Sequence, residues 1–215
     1  MYKGIIFDLD GVIVNTARYH YLAWKRLAGE FGFNFTLEDN EQLKGVNRMR
    51  SLDIVLKKGN INLPEARKIE LAERKNEQYK KYLTKMDKSE VLPGILNLLK
   101  KLHLMDIKIA LGTASKNAPY ILEKLNLKGY FHVVVDGNSV TKAKPDPEVF
   151  LQAAKALELN PQECIVAEDS QAGIEAAKKA NMFAIGIGSQ DILNASDIVI
   201  SKTDYLMAVV MRLLN

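Results

Sequence analysis

The sequence predicts an α/β fold: a doubly wound, mostly parallel sheet interrupted by an inserted α-helical bundle. Three observations carry this. The run Gly4-Ile5-Ile6-Phe7 opens the chain as a short buried strand. Residues 16–88 then show helical periodicity and no convincing β-rich run. From Pro93 onward short apolar runs alternate with helical stretches, the pattern of a parallel sheet covered on both faces. The expected division is an α/β core of residues 1–15 and 89–215 around a helical cap of residues 16–88, with crossings near Asn15 and Lys88.

Taken in order, the first strand ends in Asp8-Leu9-Asp10-Gly11. Side chains i and i+2 of an extended chain point the same way, so Asp8 and Asp10 are expected on one face. In the cap, Trp24, Leu27, Ala28 and Phe31 follow i, i+3, i+4, i+7, an amphipathic helix. Met49, Leu52, Val55 and Leu56 mark a second helix. Pro64 opens a third, long one, with a stripe of Ile69, Ala72, Tyr79 and Leu83. The core then reads as helix 93–104, strand 107–111, helix 119–125, strand 133–135 and helix 147–157. Strand 165–167, helix 172–180, strands 183–187 and 198–200, and helix 205–214 complete it.

Composition bounds the function. With 215 residues, 47% hydrophobic and 26% charged, the chain has an ordinary globular balance and not a disordered one. Thirty Lys and Arg against 26 Asp and Glu leave a net charge of +4, too small and dispersed to argue for nucleic acid. Cys164 is the only cysteine, which excludes an internal disulfide and a cysteine-based zinc site; its apolar run points to core packing. The N-terminus has no signal pattern and no apolar stretch reaches the ~18 residues of a membrane span. A cytoplasmic monomer without membrane partners is the expectation.

The chemistry-bearing residues gather at strand ends. Thr113 follows the run 107–112, Lys144 precedes the helix at 147, and Glu168-Asp169 end the run 164–167. Alone, each has a bland account: Thr113 caps a helix, Lys144 is solvated, and the acidic pair serves the first turn of a helix. In a parallel sheet, however, the C-terminal strand edges share one crevice with Asp8 and Asp10. Clustered carboxylates need a cation, and an oxygen-only donor set without His or Cys favours Mg²⁺. An ionised Asp can attack phosphorus, a lysine and a threonine hydroxyl can hold phosphoryl oxygens, and a second carboxylate can move a proton at the leaving oxygen. Phosphoryl transfer is the chemistry these residues serve.

Asp8-Leu9-Asp10-Gly11-Val12, Thr113, Lys144-Pro145 and Glu168-Asp169-Ser170, in this order, resemble the four signature segments of the haloacid dehalogenase superfamily. The resemblance implies a Rossmann-like core, and Asp10, which the superfamily's dehalogenases lack, points to its phosphotransferases and phosphatases. The segments at 19–24, 42–48, 74–76, 114–117 and 168–174 resemble the β-phosphoglucomutase family within it, over nearly the whole chain. That resemblance implies Asp8 as nucleophile and Asp10 as general acid/base. It implies Mg²⁺ on Asp8, the Asp10 backbone carbonyl and Asp169, with Glu168 at or next to it, and Thr113 and Lys144 on the transferring phosphoryl group. It further implies Arg48, Ser115, Lys116 and Asn117 on the distal phosphate or sugar. His20, Gly45, Ser51 and Lys75 would assist, with Thr16, Trp24 and Leu43 also at the substrate. Asn15, where the family has Asp, and Thr113, where it has Ser, depart from the pattern but keep hydrogen bonding.

Two cap positions can be read without the family. His20 and Trp24 lie four apart on one helix face, either as a packed pair or as a face turned to ligand. Lys75 lies three after Ala72 and four before Tyr79, beside an apolar stripe. It either snorkels to solvent or points at an anion between cap and core. The activity implied is isomerisation of β-glucose 1-phosphate to glucose 6-phosphate through β-glucose 1,6-bisphosphate. A phosphatase of small phosphorylated sugars or acids, and a catalytically silent binding protein, are the alternatives.

Overall fold

The structure, a computed structural model, describes residues 1–214. Six strands form one sheet: β1 (Gly4–Phe7), β2 (Lys108–Gly112), β3 (Val133–Val135), β4 (Cys164–Glu168), β5 (Phe183–Ile187) and β6 (Ile198–Ile200). Their order is β3-β2-β1-β4-β5-β6, and every neighbouring pair is parallel. β1 is central, with Phe7 in register with Leu111 on one side and Ala167 on the other. The order of the strands reverses beside β1, so the C-terminal ends of β1, β2 and β4 flank one crevice.

The two faces of the sheet follow from side-chain alternation. Ile5, Phe7, Ile109, Leu111, Ile165 and Ala167 pack on one face, against α5 (Ile95–Leu104), α6 (Ala118–Lys124) and α9 (Leu206–Leu214). Ile6, Ala110, Cys164 and Val166 pack on the other, against α7 (Glu148–Ala156) and α8 (Gln171–Lys179). Cys164 is buried there as packing. The inner strands β1, β2, β4 and β5 are buried on both faces and read as continuous apolar runs, while the edge strands β3 and β6 are half-buried short runs of Val and Ile.

Between β1 and β2 lie α1 (Ala17–Glu30), α2 (Leu37–Glu41), α3 (Arg48–Lys58) and α4 (Glu65–Leu83). Trp24, Leu27, Phe35, Leu52, Val55 and Leu71 form their own apolar centre. Asn47 caps α3 through its side chain, and Thr36 and Asp39 form a capping box on α2. Tyr19, Ala23, Tyr79 and Leu83 instead join the apolar cluster of the core, so the base of the helical layer is continuous with it. The two crossings run side by side: Val14 pairs antiparallel with Val91, Asn15 N donates to Glu90 O at 2.8 Å, and Leu92 N to Ile13 O at 2.9 Å.

Two features depart from the sequence reading. Ile69 is 53% exposed, and Leu71 is buried in its place in the stripe of α4. Leu71, Ala72, Lys75, Tyr79 and Leu83 face inward, so the stripe lies further round the helix than Ile69. The five-residue α2 has too few turns to register as periodicity. Among the described residues, no helix is long and apolar enough to cross a membrane.

Candidate active site

The strand ends place four groups around one point. Asp8 N continues the β1 ladder by donating to Ala167 O at 3.0 Å, which fixes the carboxylate just beyond the sheet edge. Lys144 Nζ lies 2.7 Å from Asp8 Oδ1 and 2.7 Å from Glu168 Oε2, with all three side chains buried. The other oxygen of Glu168 accepts from Asp169 N and Ser170 N, each at 3.0 Å, and from Ser170 Oγ at 2.8 Å. Glu168 is 0% exposed, and both of its oxygens accept from these donors. It holds Lys144 and the β4–α8 turn in place. Gly11 sits at φ +83°, and a Cβ there would run into the Asp169 carboxylate, so this turn requires glycine.

Charge balance at this point is unfavourable without a cation. Burial, then the Glu168 charge, pushes the Asp8 carboxyl well above its ordinary value, with Lys144 offsetting part. Burial and Glu168 push Asp169 up to about 7, against the opposing charge of Lys44. Oxygens of Asp8, Glu168 and Asp169 lie within 4.8 Å of one another. Buried, mutually repelling carboxylates with only oxygen donors suit a hard divalent cation, so these residues fit magnesium. The Asp10 carboxylate stands outside that group. It accepts from the Thr16 hydroxyl at the start of α1, and burial raises its pKa, an effect opposed by that bond, Lys144 and Lys75.

The helical layer supplies cations facing the core. Lys75 is 5% exposed. Its Nζ is 3.1 Å from His20 Nδ1 and lies over the rings of Trp24 at 4.3 Å and Tyr79 at 5.0 Å. Burial, then the Arg48 charge, lowers Lys75 to about 7. Burial, then the Lys75 and Arg48 charges, push His20 well below its usual value, which favours the neutral ring beside the Lys75 amine. Lys75 therefore does not snorkel. The face carrying His20 and Trp24 is also the face carrying the buried ammonium.

Three contacts seat this layer on the core. Lys44 Nζ reaches Asp169 Oδ2 at 3.3 Å. Asn117 Nδ2 donates to Asn76 Oδ1 at 3.1 Å. Gly45, at φ +72°, approaches the Ser170 hydroxyl so closely that a Cβ would collide with it. Between them lies a partly open cavity of about 550 Å³. Asp8, Asp10, Thr16, His20, Trp24, Leu43, Gly45, Arg48, Ser51, Lys75, Thr113, Ser115, Lys116, Asn117, Lys144 and Asp169 all line it. Glu168, expected at or next to a metal, lies behind the wall.

Several of these residues already have partners. Ser51 Oγ donates to Asn47 O at 3.0 Å, inside its own helix. Thr113 Oγ1 accepts from Ser115 N at 3.2 Å, and Asn138 Nδ2 holds the Lys116 carbonyl at 3.2 Å, which orders the loop after β2. Lys44, Asn76 and Ser170 were given no role from the sequence. Asn76 had a signal: it lies four after Ala72 and three before Tyr79, a polar group on the buried stripe. Lys44 had none, since its i,i+3 spacing from Glu41 reads as a surface pair.

Comparison with known proteins agrees with this geometry. The family described as Haloacid dehalogenase-like hydrolase matches residues 5–187. The chain is 43% identical over 206 residues to a protein of Bacillus subtilis named Beta-phosphoglucomutase, covering 95% of this chain and 91% of that one. It is 32% identical to a Thermotoga maritima protein named Phosphorylated carbohydrates phosphatase, covering 85% and 83%. The crystal structure of a beta-phosphoglucomutase from Clostridium difficile superposes with a TM-score of 0.93 at 41% identity, over 99% of this chain and 96% of that one. With the motif order, the parallel sheet and the buried acid–lysine cluster, these matches establish that the chain belongs to the haloacid dehalogenase-like hydrolase family.

Proposed function

We propose that the enzyme interconverts β-D-glucose 1-phosphate and glucose 6-phosphate through an aspartyl phosphate and β-glucose 1,6-bisphosphate. The observation that carries this reading is a single cleft between the helical layer and the core with phosphate-binding chemistry contributed from both sides. Lys144 pairs with Asp8 and Thr113 lines the cavity at the end of β2, while Arg48, Lys75 and Lys116 line the same space and belong to the cap and the β2 loop. A bisphosphate needs both ends held at once, and a water-accessible phosphatase needs only the first. The 43% identity to a named beta-phosphoglucomutase supports the same reading.

In this mechanism phosphorylated Asp8 gives its phosphoryl group to the C6 hydroxyl of β-glucose 1-phosphate, and Asp10 takes the hydroxyl proton. The bisphosphate turns round, Asp8 attacks the C1 phosphorus, and Asp10 returns the proton to the C1 oxygen as it leaves. Burial, which raises the Asp10 pKa, favours its keeping the proton it takes up. Lys144 and the Thr113 hydroxyl stabilise charge on the transferring group. Asp8, the Asp10 backbone carbonyl and Asp169 would hold magnesium, which when bound offsets the negative charge shared by nucleophile and phosphate. Glu168 orients Lys144 beside that site. Residues 16–88 act as a cap that excludes water, with residues 1–15 and 89–215 as the catalytic unit. The same reading takes the working enzyme to be a cytoplasmic monomer.

The second reading, a phosphatase of small phosphorylated sugars, is favoured by the 32% identity to a carbohydrate phosphatase. One assay separates them. With β-glucose 1-phosphate, Mg²⁺ and trace 1,6-bisphosphate, glucose 6-phosphate is expected to exceed inorganic phosphate by a wide margin. Predominant release of inorganic phosphate would replace the mutase with the phosphatase.

A further inference from the structure

Arg48 and Glu73 meet at the mouth of the cavity, and both line it. Arg48 opens α3 and Glu73 lies midway along α4; Arg48 Nη1 donates to Glu73 Oε1 at 2.6 Å. The pair is unequal: the Arg48 side chain is 18% exposed and that of Glu73 is 62%. Glu73 therefore reaches from solvent onto a cation that faces the cavity. Among the described residues, neither side chain has a second ionic partner. Behind Arg48 stand Lys75 and His20, and the Arg48 charge disfavours the charged form of each. Glu73 is the anion that Arg48 meets at the cavity mouth.

We propose that Glu73 is an exchange partner for the distal phosphate on Arg48, a built-in counter-ligand that the substrate displaces and that takes Arg48 back when the phosphate leaves. This rests on the reading of Arg48 as a distal phosphate ligand. A phosphate carries nearly two negative charges at neutral pH against one for a carboxylate, so it wins the exchange. The competition weakens the hold on substrate and bisphosphate alike. In a reaction whose intermediate must let go and turn round, a weaker hold speeds the turn. Binding ground state and intermediate more tightly lowers KM without helping the chemical step.

The test is a double-mutant cycle on steady-state kinetics with β-glucose 1-phosphate and trace 1,6-bisphosphate. An exposed pair of this kind supports a change of about two- to fivefold. Glu73→Gln is expected to lower KM by that factor and to slow dissociation of 1,6-bisphosphate in parallel. In the Arg48→Ala background, Glu73→Gln is expected to leave KM where Arg48→Ala alone puts it. A higher KM in Glu73→Gln would mean that Glu73 presents Arg48 to substrate, and the proposal fails. An equal fall in KM with and without Arg48 would reduce Glu73 to a general field effect, and the proposal again fails. An unchanged KM in Glu73→Gln, with KM raised by Arg48→Ala, overturns the exchange and leaves Arg48 as a phosphate ligand. Arg48→Ala without effect on KM overturns that assignment, and the exchange with it.

Discussion

Lys75→Met is expected to stabilise the protein while damaging its activity. The pKa of Lys75 falls from 10.5 to about 7, chiefly through burial. A drop of roughly 3.5 units, at about 1.36 kcal/mol per unit, sets an upper bound near 5 kcal/mol on the cost of the buried charge. The contacts with the Trp24 and Tyr79 rings return about 1–2 kcal/mol. About 3 kcal/mol of penalty then remains, and methionine, which keeps the stem and drops the ammonium, removes it. The pH dependence follows from the direction of the shift. Below pH 7 both folded and unfolded states carry the proton and the full penalty applies. Between about 7 and 10.5 the unfolded state binds more protons, so wild-type stability rises with pH relative to the mutant. Urea unfolding at pH 6, 8 and 10 reads the difference: Lys75→Met is expected to be more stable by about 3 kcal/mol at pH 6, with the gap closing by pH 10. Its kcat/KM for β-glucose 1-phosphate is expected to fall, because the ammonium offers a charge-assisted bond worth about 1.5–3 kcal/mol to a bound anion. A mutant less stable than wild type at pH 6, or a gap that ignores pH, would refute the reasoning.

Asp8→Asn is expected to abolish phosphoryl transfer with the circular dichroism of the fold intact, since it removes the nucleophile and a charge that Glu168 repels; a folded mutant of wild-type activity would exclude an aspartyl phosphate. Lys144→Ala leaves Asp8 and Glu168 buried without their cation, and a loss of about 3–5 kcal/mol in denaturant unfolding is expected together with loss of turnover. Excess chelator is expected to stop turnover, and Asp169→Ala to raise the Mg²⁺ concentration that restores it; full activity in chelator would remove the metal from the reading. Thr16→Pro fixes φ at the residue whose hydroxyl holds Asp10. It is expected to depress transfer to sugar far more than phosphate release from labelled phosphoenzyme, read in a stopped-time assay.

Short-range physics governs the parts of this protein that can be read along the chain. The inner strands are legible because they are buried on both faces, as Ile5-Ile6-Phe7 and Cys164-Ile165-Val166-Ala167 are, and the half-buried edge strands because they are short β-branched runs. The convergence of Asp8 and Asp10 follows from two-residue alternation, and the stripe of α4 marked Lys75 as a charge on an apolar face. Order and parallel topology then bring Thr113, Lys144 and Glu168-Asp169 to one edge, whatever their distance along the chain.

Only the tertiary structure decided which charge meets which. Lys144 finds Asp8 and Glu168 at 136 and 24 residues' separation, and the pairing takes Glu168 out of the cavity wall. Leu71 displaces Ile69 from the buried stripe because the line of contact with α1 and α3, not the period of α4, sets which side faces inward. Lys44 reaching Asp169, Asn117 reaching Asn76 and Glu73 reaching Arg48 all depend on how the helical layer sits on its neighbours. Local spacing sets which side chains share a face. An ion pair or a polar contact across 25 to 125 residues forms only when packing brings two such faces together, and no period in the sequence carries that distance.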